Sequence, residues 1–402
     1  MGRTQRKRIR KKKINCQEEE NFHEPIDSSI VELLKWLGIK TQLQLFHFPQ
    51  TGRGLRTQKL IRANDNLISV PLKKMITRAA IQHRYPSHWS TQLMLSCFLA
   101  QDFHWTVYHN TLPKTYDVPF YDCPQHVIEE LPGFLKQKIK DQRNIILEQY
   151  EKCKTLIPNF QKFTWAWFTV NTRGVYFPDS HDNLALAPFL DMFNHDANVK
   201  VDIEIQSDQY VIKSLDQHWH KHQQVFINYG PHDNTKLYVE YGFVIPDHPY
   251  DCVPLTFEDL LISNKSSTPY EDLNKKFEFL NDNRLVENLK LFNAEEYEEL
   301  VSWPVLACLY ILNQPNLNHL AKVFEEDLRI KNFQAEIISL IKHQLSGIQR
   351  AQQKCCNNPD DYPGFFRIPD QQQSKTSTKV LPVLLQIYKK LCEQCLIQVK
   401  NL

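Results

Sequence analysis

The sequence has little glycine: only 10 of its 402 residues are glycine, whereas an average protein has about 7 per cent. Collagen-like, glycine-rich linker and propeller-like architectures are therefore disfavoured. Glycine is retained where the backbone needs a positive φ or a close approach. Each glycine that remains is for this reason a position to inspect.

Other absences bound the class of protein. No apolar run reaches the roughly 18 residues that a membrane helix needs, so we expect no membrane contact. The N-terminus is basic and lacks the apolar segment of a secretory signal. The 10 cysteines are scattered without a regular framework, which favours free thiols in a reducing compartment. The length predicts two or three soluble domains.

Charge is distributed unevenly along the chain. Residues 1–13 carry eight Lys or Arg side chains and no acid, and the rest of the chain carries 40 basic and 46 acidic side chains. Residues 1–26 are therefore predicted to be a basic disordered tail. A nuclear-localisation signal and a nucleic-acid contact are sharper readings of the same segment. We expect a nuclear and cytoplasmic protein without specific nucleic-acid binding.

The hydrophobic pattern alternates between helical and strand-like segments. Asp27 and Ser28 can cap a first helix, and Gly38 can end it. Residues from about 78 to 165 are mostly helical in pattern and are interrupted by prolines. Two alternating segments flank Ser207-Asp208 and predict a β-hairpin. After about residue 255 the strand signal fades and long helical patterns follow.

Glycines and polar residues occur in a specific order along the strand-rich half. A Gly-x-Gly at 52–54 precedes the helical insert, and residues 191–196 (DMFNHD) and 227–230 (INYG) follow it, before Tyr241-Gly242-Phe243. This order resembles that of the SET-domain methyltransferases, and in particular the branch of the Rubisco large-subunit lysine methyltransferase. Taken alone, the Gly-x-Gly is a tight turn without the features of a dinucleotide-binding loop.

The resemblance implies a fold of the α+β class. It implies a SET β-clip with an inserted helical region, followed by an all-helical Rubisco-methyltransferase-type substrate-binding domain. We accordingly assign residues 27–250 to the SET domain, with its insert at about 78–165. Residues 251–402 are assigned to the helical domain.

The resemblance also implies a cofactor, S-adenosyl-L-methionine, and the residues that contact it. The backbone at 51–53 would pass close to the methionine part of the cofactor, and Asn194 and His195 would bind its adenine edge and polar groups. Phe243 and Tyr229 would pack beside it. The cofactor-binding residues predicted in this way are Thr51, Gly52, Arg53, Asn194, His195, Tyr229 and Phe243.

Methyl transfer to an amine needs a neutral nucleophile aligned with the methyl group, and an apolar channel lowers the pKa of a lysine amine. By motif position, Tyr229 is the predicted catalytic tyrosine and Tyr241 lines the substrate channel. Arg173 contacts cofactor or substrate, unless it forms a structural ion pair. Asp191 either orients its segment or contacts the substrate. Without the resemblance, both tyrosines would be interpreted as core strand aromatics.

We therefore expect a monomeric protein-lysine N-methyltransferase that acts on a lysine in a basic protein segment, such as a histone tail. A protein-histidine N-methyltransferase of the same fold and a catalytically silent protein-binding module are the alternatives. No metal is expected. The candidate ligands at Asp191, His195 and Asp196 and at 218–222 (HWHKH), and the lone CxxC at 392–395, lack a complete ligand set.

Overall fold

The computed structural model describes residues 27–101, 105–178, 183–264, 270–292, 299–357, 365–366 and 378–401. The predicted basic tail, residues 1–26, lies outside the described residues. The α-helices, numbered in chain order, are α1 Ser28–Leu37, α2 Arg78–Ile81, α3 Thr91–Gln101, α4 Thr106–His109, α5 Pro119–Asp122, α6 Gln125–Glu129, α7 Gly133–Cys153, α8 Phe160–Arg173, α9 Asn234–Lys236, α10 Phe257–Ser263, α11 Tyr270–Asp282, α12 Trp303–Asn313, α13 Gln334–Asn357 and α14 Val380–Lys400.

The β-strands are short and lie mostly before residue 230. They are β1 Leu43–Phe48, β2 Gly52–Thr57, β3 Asn66–Pro71, β4 Ile76–Thr77, β5 Gly174–Tyr176, β6 Leu184–Leu186, β7 Asn194–His195, β8 Val201–Gln206, β9 Gln209–Ser214, β10 Gln224–Ile227, β11 Cys252–Pro254, β12 Lys290–Phe292, β13 Phe365–Phe366 and β14 Thr378–Lys379.

Three small sheets form the β-rich half, with strand orders β1-β2-β10-β7, β3-β9-β8 and β4-β6-β5. The hairpin β8–β9 confirms the alternating pattern, and its turn residues Ser207 and Asp208 both have positive φ. Strand β10 pairs in parallel with β7, so Phe226 and Ile227 lie beside Asn194 and His195. This one pairing brings two motifs together that lie about 30 residues apart in the chain.

The first helix begins and ends where its sequence predicts. The Asp27 carboxylate accepts a hydrogen bond from the Ser29 amide, and Gly38 caps the other end with φ 70°. The helical insert extends further than predicted, because α8 continues through Arg173 instead of stopping near residue 165. Its last turn carries Arg173 directly into the site region.

Two hydrophobic cores hold the described residues together. One core contains α1, the β-rich half and α3 and α8. The other consists mainly of the helices after residue 255. Helix α7 joins them, because Phe134 and Ile139 near its start belong to the second core and Ile146 and Cys153 near its end belong to the first.

The C-terminal part is predominantly helical, and the expectation that it is all-helical needs one correction. Strand β11 pairs with β12, and β13 pairs with β14. Each of these strands has only two or three residues, which is too short to show an alternating pattern. The described cysteines are free thiols, and none of the described helices is long and apolar enough to cross a membrane.

Candidate active site

One cavity of about 340 Å³ brings together every residue that the motif order assigned to the site. The volume lies within the range of small-molecule sites, about 300–1,000 Å³. Beside the predicted residues it is lined by residues of the helical insert. The predicted residues that line it are Thr51, Gly52, Arg53, Arg173, Asp191, Asn194, His195, Tyr229, Tyr241 and Phe243.

Asn194 fixes the backbone of β2 at the edge of the cavity. Its amide nitrogen donates to the carbonyl oxygen of Arg53 at 3.0 Å and to that of Thr51 at 3.5 Å. A Cβ on Gly54 would lie 2.6 Å from this nitrogen and from the amide nitrogen of Gln224, so one or both side chains would have to shift if residue 54 were not glycine. The contact of Asn194 with the adenine edge of the cofactor stays a prediction.

His195 is linked to Tyr229 through the backbone. The amide of Tyr229 donates to Nδ1 of His195 at 3.1 Å, so the neutral ring carries its proton on Nε2. Burial, followed by the neighbouring His248 and His232, lowers the pKa of His195 to about 4. Nε2 is buried and has no hydrogen-bond partner among the described residues, which leaves one N–H donor for a ligand.

Tyr229 is held by a stack of rings and by one carbonyl. Its ring stacks on His195 with centroids 5.1 Å apart and on Tyr241 at 5.6 Å, and Tyr241 stacks on His232 at 5.9 Å. The Tyr229 hydroxyl donates to the carbonyl oxygen of Phe193 at 2.5 Å. Burial raises the pKa of Tyr229 to about 12 although Arg173 opposes it, so the hydroxyl stays protonated at neutral pH.

Arg173 and Asp191 form a buried ion pair. Nη1 of Arg173 lies 3.3 Å from the Asp191 carboxylate and donates to the Asp191 carbonyl at 2.9 Å. The hydroxyl of Tyr108 donates to the same carboxylate at 2.9 Å. Arg173 thus forms the structural ion pair that was one of its two predicted roles. The side chain of Asp191 is 0% exposed and orients Arg173. Asp191 also lines both cavities, and its contact with substrate stays a prediction.

Burial and the charge of the partner shift the pKa of each member of this pair in opposite directions. Burial lowers the pKa of Arg173, but Asp191 and the surrounding tyrosines more than offset this, so the pKa lies above its ordinary value. Burial raises the pKa of Asp191, and Arg173 opposes that rise. The second carboxylate oxygen of Asp191 and Nε of Arg173 are buried without a hydrogen-bond partner in the described part of the chain.

A second, narrower cavity of about 110 Å³ adjoins the first. The two cavities share several wall residues, namely Thr172, Arg173, Asp191, Phe193, Tyr229 and Tyr241. Most of its other lining is aliphatic and comes from Val175, Leu190, Val201, Ile203, Ile212 and Ile227. Tyr229 and Tyr241 thus form a wall between a larger space and a narrow apolar one.

Comparison with known proteins agrees with this arrangement. A family model described as the SET domain matches residues 52–230. SET domain-containing protein 4 from Homo sapiens is 33% identical over 331 residues, which are 72% of this chain and 74% of that protein. The chain belongs to the SET-domain methyltransferase family, with SET domain-containing protein 4.

More distant SET-domain proteins act on different residue types, as their names state. Ribosomal lysine N-methyltransferase set11 of Schizosaccharomyces pombe is 26% identical and covers 52% of this chain and 58% of its own length. Actin-histidine N-methyltransferase of Danio rerio is 25% identical over 53% of this chain and 41% of its own length. The solved SET domain of LSMT, bound to lysine and AdoHcy, has a TM-score of 0.61 at 17% identity and covers 94% and 92%; this likeness shows the fold.

The insert of this SET domain contributes site residues that its sequence did not reveal. Nη1 of Arg53 donates to the Thr111 carbonyl at 3.0 Å, and the Tyr116 hydroxyl donates to Thr169 at 2.8 Å. Tyr108 holds Asp191, as described above. Tyr108 and Tyr116 stand in a segment without a recognisable motif, so no sequence signal marked them. Gln224, which accepts a hydrogen bond from Thr51 at 2.9 Å, was likewise missed.

A short π-helix at Leu237–Tyr241 presents Tyr241 to the site. Such helices are rare and are found mostly at functional sites. Gly242 ends it with φ 83°, and a Cβ at this position would overlap the carbonyl oxygen of Asp117. The SET core and its helical insert therefore meet directly beside Tyr241.

The other sequence candidates fall outside this site. His218, His220 and His222 lie between β9 and β10, and Cys392 and Cys395 are buried in α14. The Cys395 thiol donates to the Phe292 carbonyl at 3.0 Å. Within the described ranges, no group of three or more His, Cys, Asp or Glu side chains is arranged to hold a metal ion.

Proposed function

We propose that this protein is an S-adenosylmethionine-dependent protein-lysine N-methyltransferase. The observation that carries the proposal is the shared wall of Tyr229 and Tyr241 between the larger cavity and the narrow apolar one. A methyltransferase needs two such compartments, since donor and acceptor must meet in line at the methyl group. Membership of the SET-domain family supports the same reaction.

The residues of the larger cavity fit the cofactor. S-adenosylmethionine would supply an electrophilic methyl group on a sulfonium sulfur. Gly52 has φ 71°, so the strand entrance can turn beside the ligand without a side chain. The buried Nε2–H of His195 and the Nε–H of Arg173, which have no hydrogen-bond partner among the described residues, offer two donors to the ligand. Phe243 provides an apolar ring in the same wall.

The narrow cavity suits the nucleophile. Its walls are mostly aliphatic, and the carboxylate of Asp191 is paired with Arg173. An ammonium ion is therefore disfavoured, and a lysine amine that enters the cavity loses its proton more readily. The deprotonated amine would have its lone pair free to accept the methyl group. The faces of Tyr229 and Tyr241 can stabilise the cation that results. Because the Tyr229 proton is engaged by Phe193, the lone pairs of its oxygen remain to hold the amine or the polarised methyl group.

The lining of the narrow cavity favours lysine over histidine. Away from the wall that it shares with the larger cavity, the Tyr210 hydroxyl donates to the Tyr176 carbonyl at 2.6 Å, and Asn228 bonds to Ala197 and Gly230. The polar atoms without a partner, on Asp191 and Arg173, belong to the shared wall. The second nitrogen of an imidazole would need a partner in this space, and leaving it unpaired is costly. A lysine side chain has a single polar end and makes no such demand.

Three features of the proposal rest on sequence alone. They are the histone tail as a substrate, the monomeric state and the nuclear and cytoplasmic location. Histidine methylation by the same fold is the second candidate, which the name of the actin-histidine relative supports. In that case the unpartnered carboxylate oxygen of Asp191, in the wall that the two cavities share, would accept a hydrogen bond from the second ring nitrogen.

Methyl transfer from labelled S-adenosylmethionine into a cell lysate tests the proposal. The wild-type protein should label lysate proteins, and the cofactor should raise its melting temperature. Tyr229→Phe should keep the melting shift and lose about 100-fold or more of the transfer rate. No melting shift and no labelling would point to the silent binding module. Equal activity in the variant would remove Tyr229 from the catalytic role.

A further inference from the structure

Two exposed apolar side chains stand at the mouth of the narrow cavity. Tyr176, at the end of β5, is 56% exposed, and Ile205, near the end of β8, is 43% exposed. Single exposed apolar residues are ordinary on protein surfaces. These two differ because both adjoin Tyr210, which lines the narrow cavity.

The strand register places Ile205 on the cavity face of its sheet. Ile205 faces Tyr210 across the hairpin, and Ile203 faces Ile212. Facing residues of paired strands point to the same side of a sheet, as do residues two apart in one strand. Ile203, Tyr210 and Ile212 all line the narrow cavity, so Ile205 continues the same apolar face outward from it.

Tyr176 joins this face from the other sheet. The Tyr210 hydroxyl donates to the carbonyl oxygen of Tyr176 at 2.6 Å, which fixes β5 against β9. Tyr176 also lines the narrow cavity itself. The apolar lining therefore runs from inside the cavity past Tyr210 to two side chains in contact with solvent.

The charged side chains of β8 and β9 alternate with the apolar ones, so Asp202, Glu204 and Lys213 point to the opposite face of the sheet from Ile205. Glu204, next to Ile205 in β8, forms an ion pair with Lys213 at 2.5 Å. Strand β8 is the outer strand of the order β3-β9-β8 in the part of the chain that the structure describes. An extended peptide segment can lie along such an edge, and on the face of Ile205 it would meet apolar side chains.

We infer that Tyr176 and Ile205 form a docking surface for an apolar side chain of the protein substrate, in the extended segment next to the target lysine. The inference rests on the proposed function and adds a sequence requirement to it. The apolar surface is continuous with the cavity that takes the target side chain, so the occupant is the chain that carries this side chain. Selection then depends on an apolar flank and not on a run of basic residues.

A synthetic peptide library with one central lysine and randomised flanking positions tests this inference. Peptides labelled by the wild-type protein should be enriched at least about fivefold in aliphatic or aromatic residues at one or two positions near the lysine. Ile205→Asp should abolish this enrichment and lower the labelling of an apolar-flanked peptide about tenfold. Its melting shift with S-adenosylmethionine should stay that of the wild type.

Leu215→Asp is the matched control, because Leu215 is also 43% exposed and lines neither cavity. It should label the library as the wild type does. Enrichment in Lys or Arg, no enrichment, or an unchanged preference in Ile205→Asp would overturn the inference while leaving the proposed function in place. Failure of the wild-type protein to label any peptide or lysate protein would count against the proposed function, and the inference would fall with it.

Discussion

The two halves of the molecule differ in how they use their interior. The β-rich half before residue 246 encloses both cavities, and no described residue after Ile245 lines either of them. The C-terminal half instead fills its core with leucine, isoleucine and valine side chains of regular helices. The buried polar groups of the site thus belong to one half, whereas the other half contributes packing.

Backbone conformation follows the same division. Phe189, fully buried just before the site segment, has φ 72°, which is uncommon for a bulky residue. A π-helix and the left-handed Gly242 lie close by. Such costly conformations persist where surrounding structure enforces them. The core of the β-rich half surrounds Phe189, and the helical core packs on the π-helix.

The segment from 234 to 245 joins the halves. Tyr238 and Val239 belong to the helical core, whereas Tyr241 lies in the site. The hydroxyl of Thr235 forms a hydrogen bond with the hydroxyl of Tyr388 in α14, with 2.5 Å between the two oxygens. The helical half therefore supports Tyr241 from behind. The role of the helical half in binding substrate stays a prediction.

Asp191→Asn should have the largest effect on the β-rich half. It leaves the buried Arg173 charge without its partner, at a cost of about 3–5 kcal/mol in the free energy of unfolding, and it should lower methyl transfer as well. Urea denaturation and the transfer assay measure the two effects. Asp327→Asn is the control: its ion pair with Arg329 is exposed, so neither quantity should change. Equal losses in both variants would contradict the account.

Leu309→Ala should separate stability from function. Leu309 is fully buried in α12, and its truncation should lower the free energy of unfolding by about 2–5 kcal/mol. At 25 °C, where the variant remains folded, kcat/KM should stay within about twofold of the wild type. A larger loss of kcat/KM than this would show that the helical core acts on the site directly.

Gly242→Ala and Gly38→Ala test the junction beside Tyr241. Both positions have left-handed φ, so each alanine should cost about 1 kcal/mol or somewhat more. At Gly242 the new Cβ also meets the Asp117 carbonyl, whereas nothing lies within 4 Å at Gly38. Gly242→Ala should lose at least about 1 kcal/mol more and reduce transfer. If the two variants behave alike, the close approach is not essential.

The smallest effect concerns pH. Burial lowers the pKa of both His195 and His232 to about 4, whereas both titrate near 6.5 in the unfolded chain. The unfolded chain therefore binds more protons between these values, and stability should fall as the pH drops from about 6.5 to 4. His232→Phe, which preserves a ring against Tyr241, should flatten this fall. An unchanged pH profile in the variant would contradict the neutral buried ring.

The sequence predicted the parts of this site that depend on local pattern and motif order. The hairpin at 201–214 follows from its alternation, the Gly38 cap follows from one residue, and the site residues follow from four motifs that occur in order. The pairing of Arg173 with Asp191 was only one of the alternatives. Geometry decided it, because the choice depends on Tyr108 and on burial that no local pattern encodes.

Other features depend on contacts that are distant in the chain. The use of Gly54 to admit Asn194, the approach of Asp117 to Gly242 and the π-helix at Leu237–Tyr241 all arise from packing between separate segments. Strands β11 and β12 are too short for an alternating hydrophobic pattern to be recognised in the sequence. The role of each of these residues depends on a neighbour that is distant in the chain, and a local sequence pattern does not identify that neighbour.

The residue type that receives the methyl group tests the central claim most directly. Mass spectrometry of lysate proteins methylated by the wild-type protein, with Tyr229→Phe as the inactive reference, identifies it. The mainly aliphatic lining of the narrow cavity predicts methyl-lysine. Methyl-histidine as the product would contradict this account of the cavity.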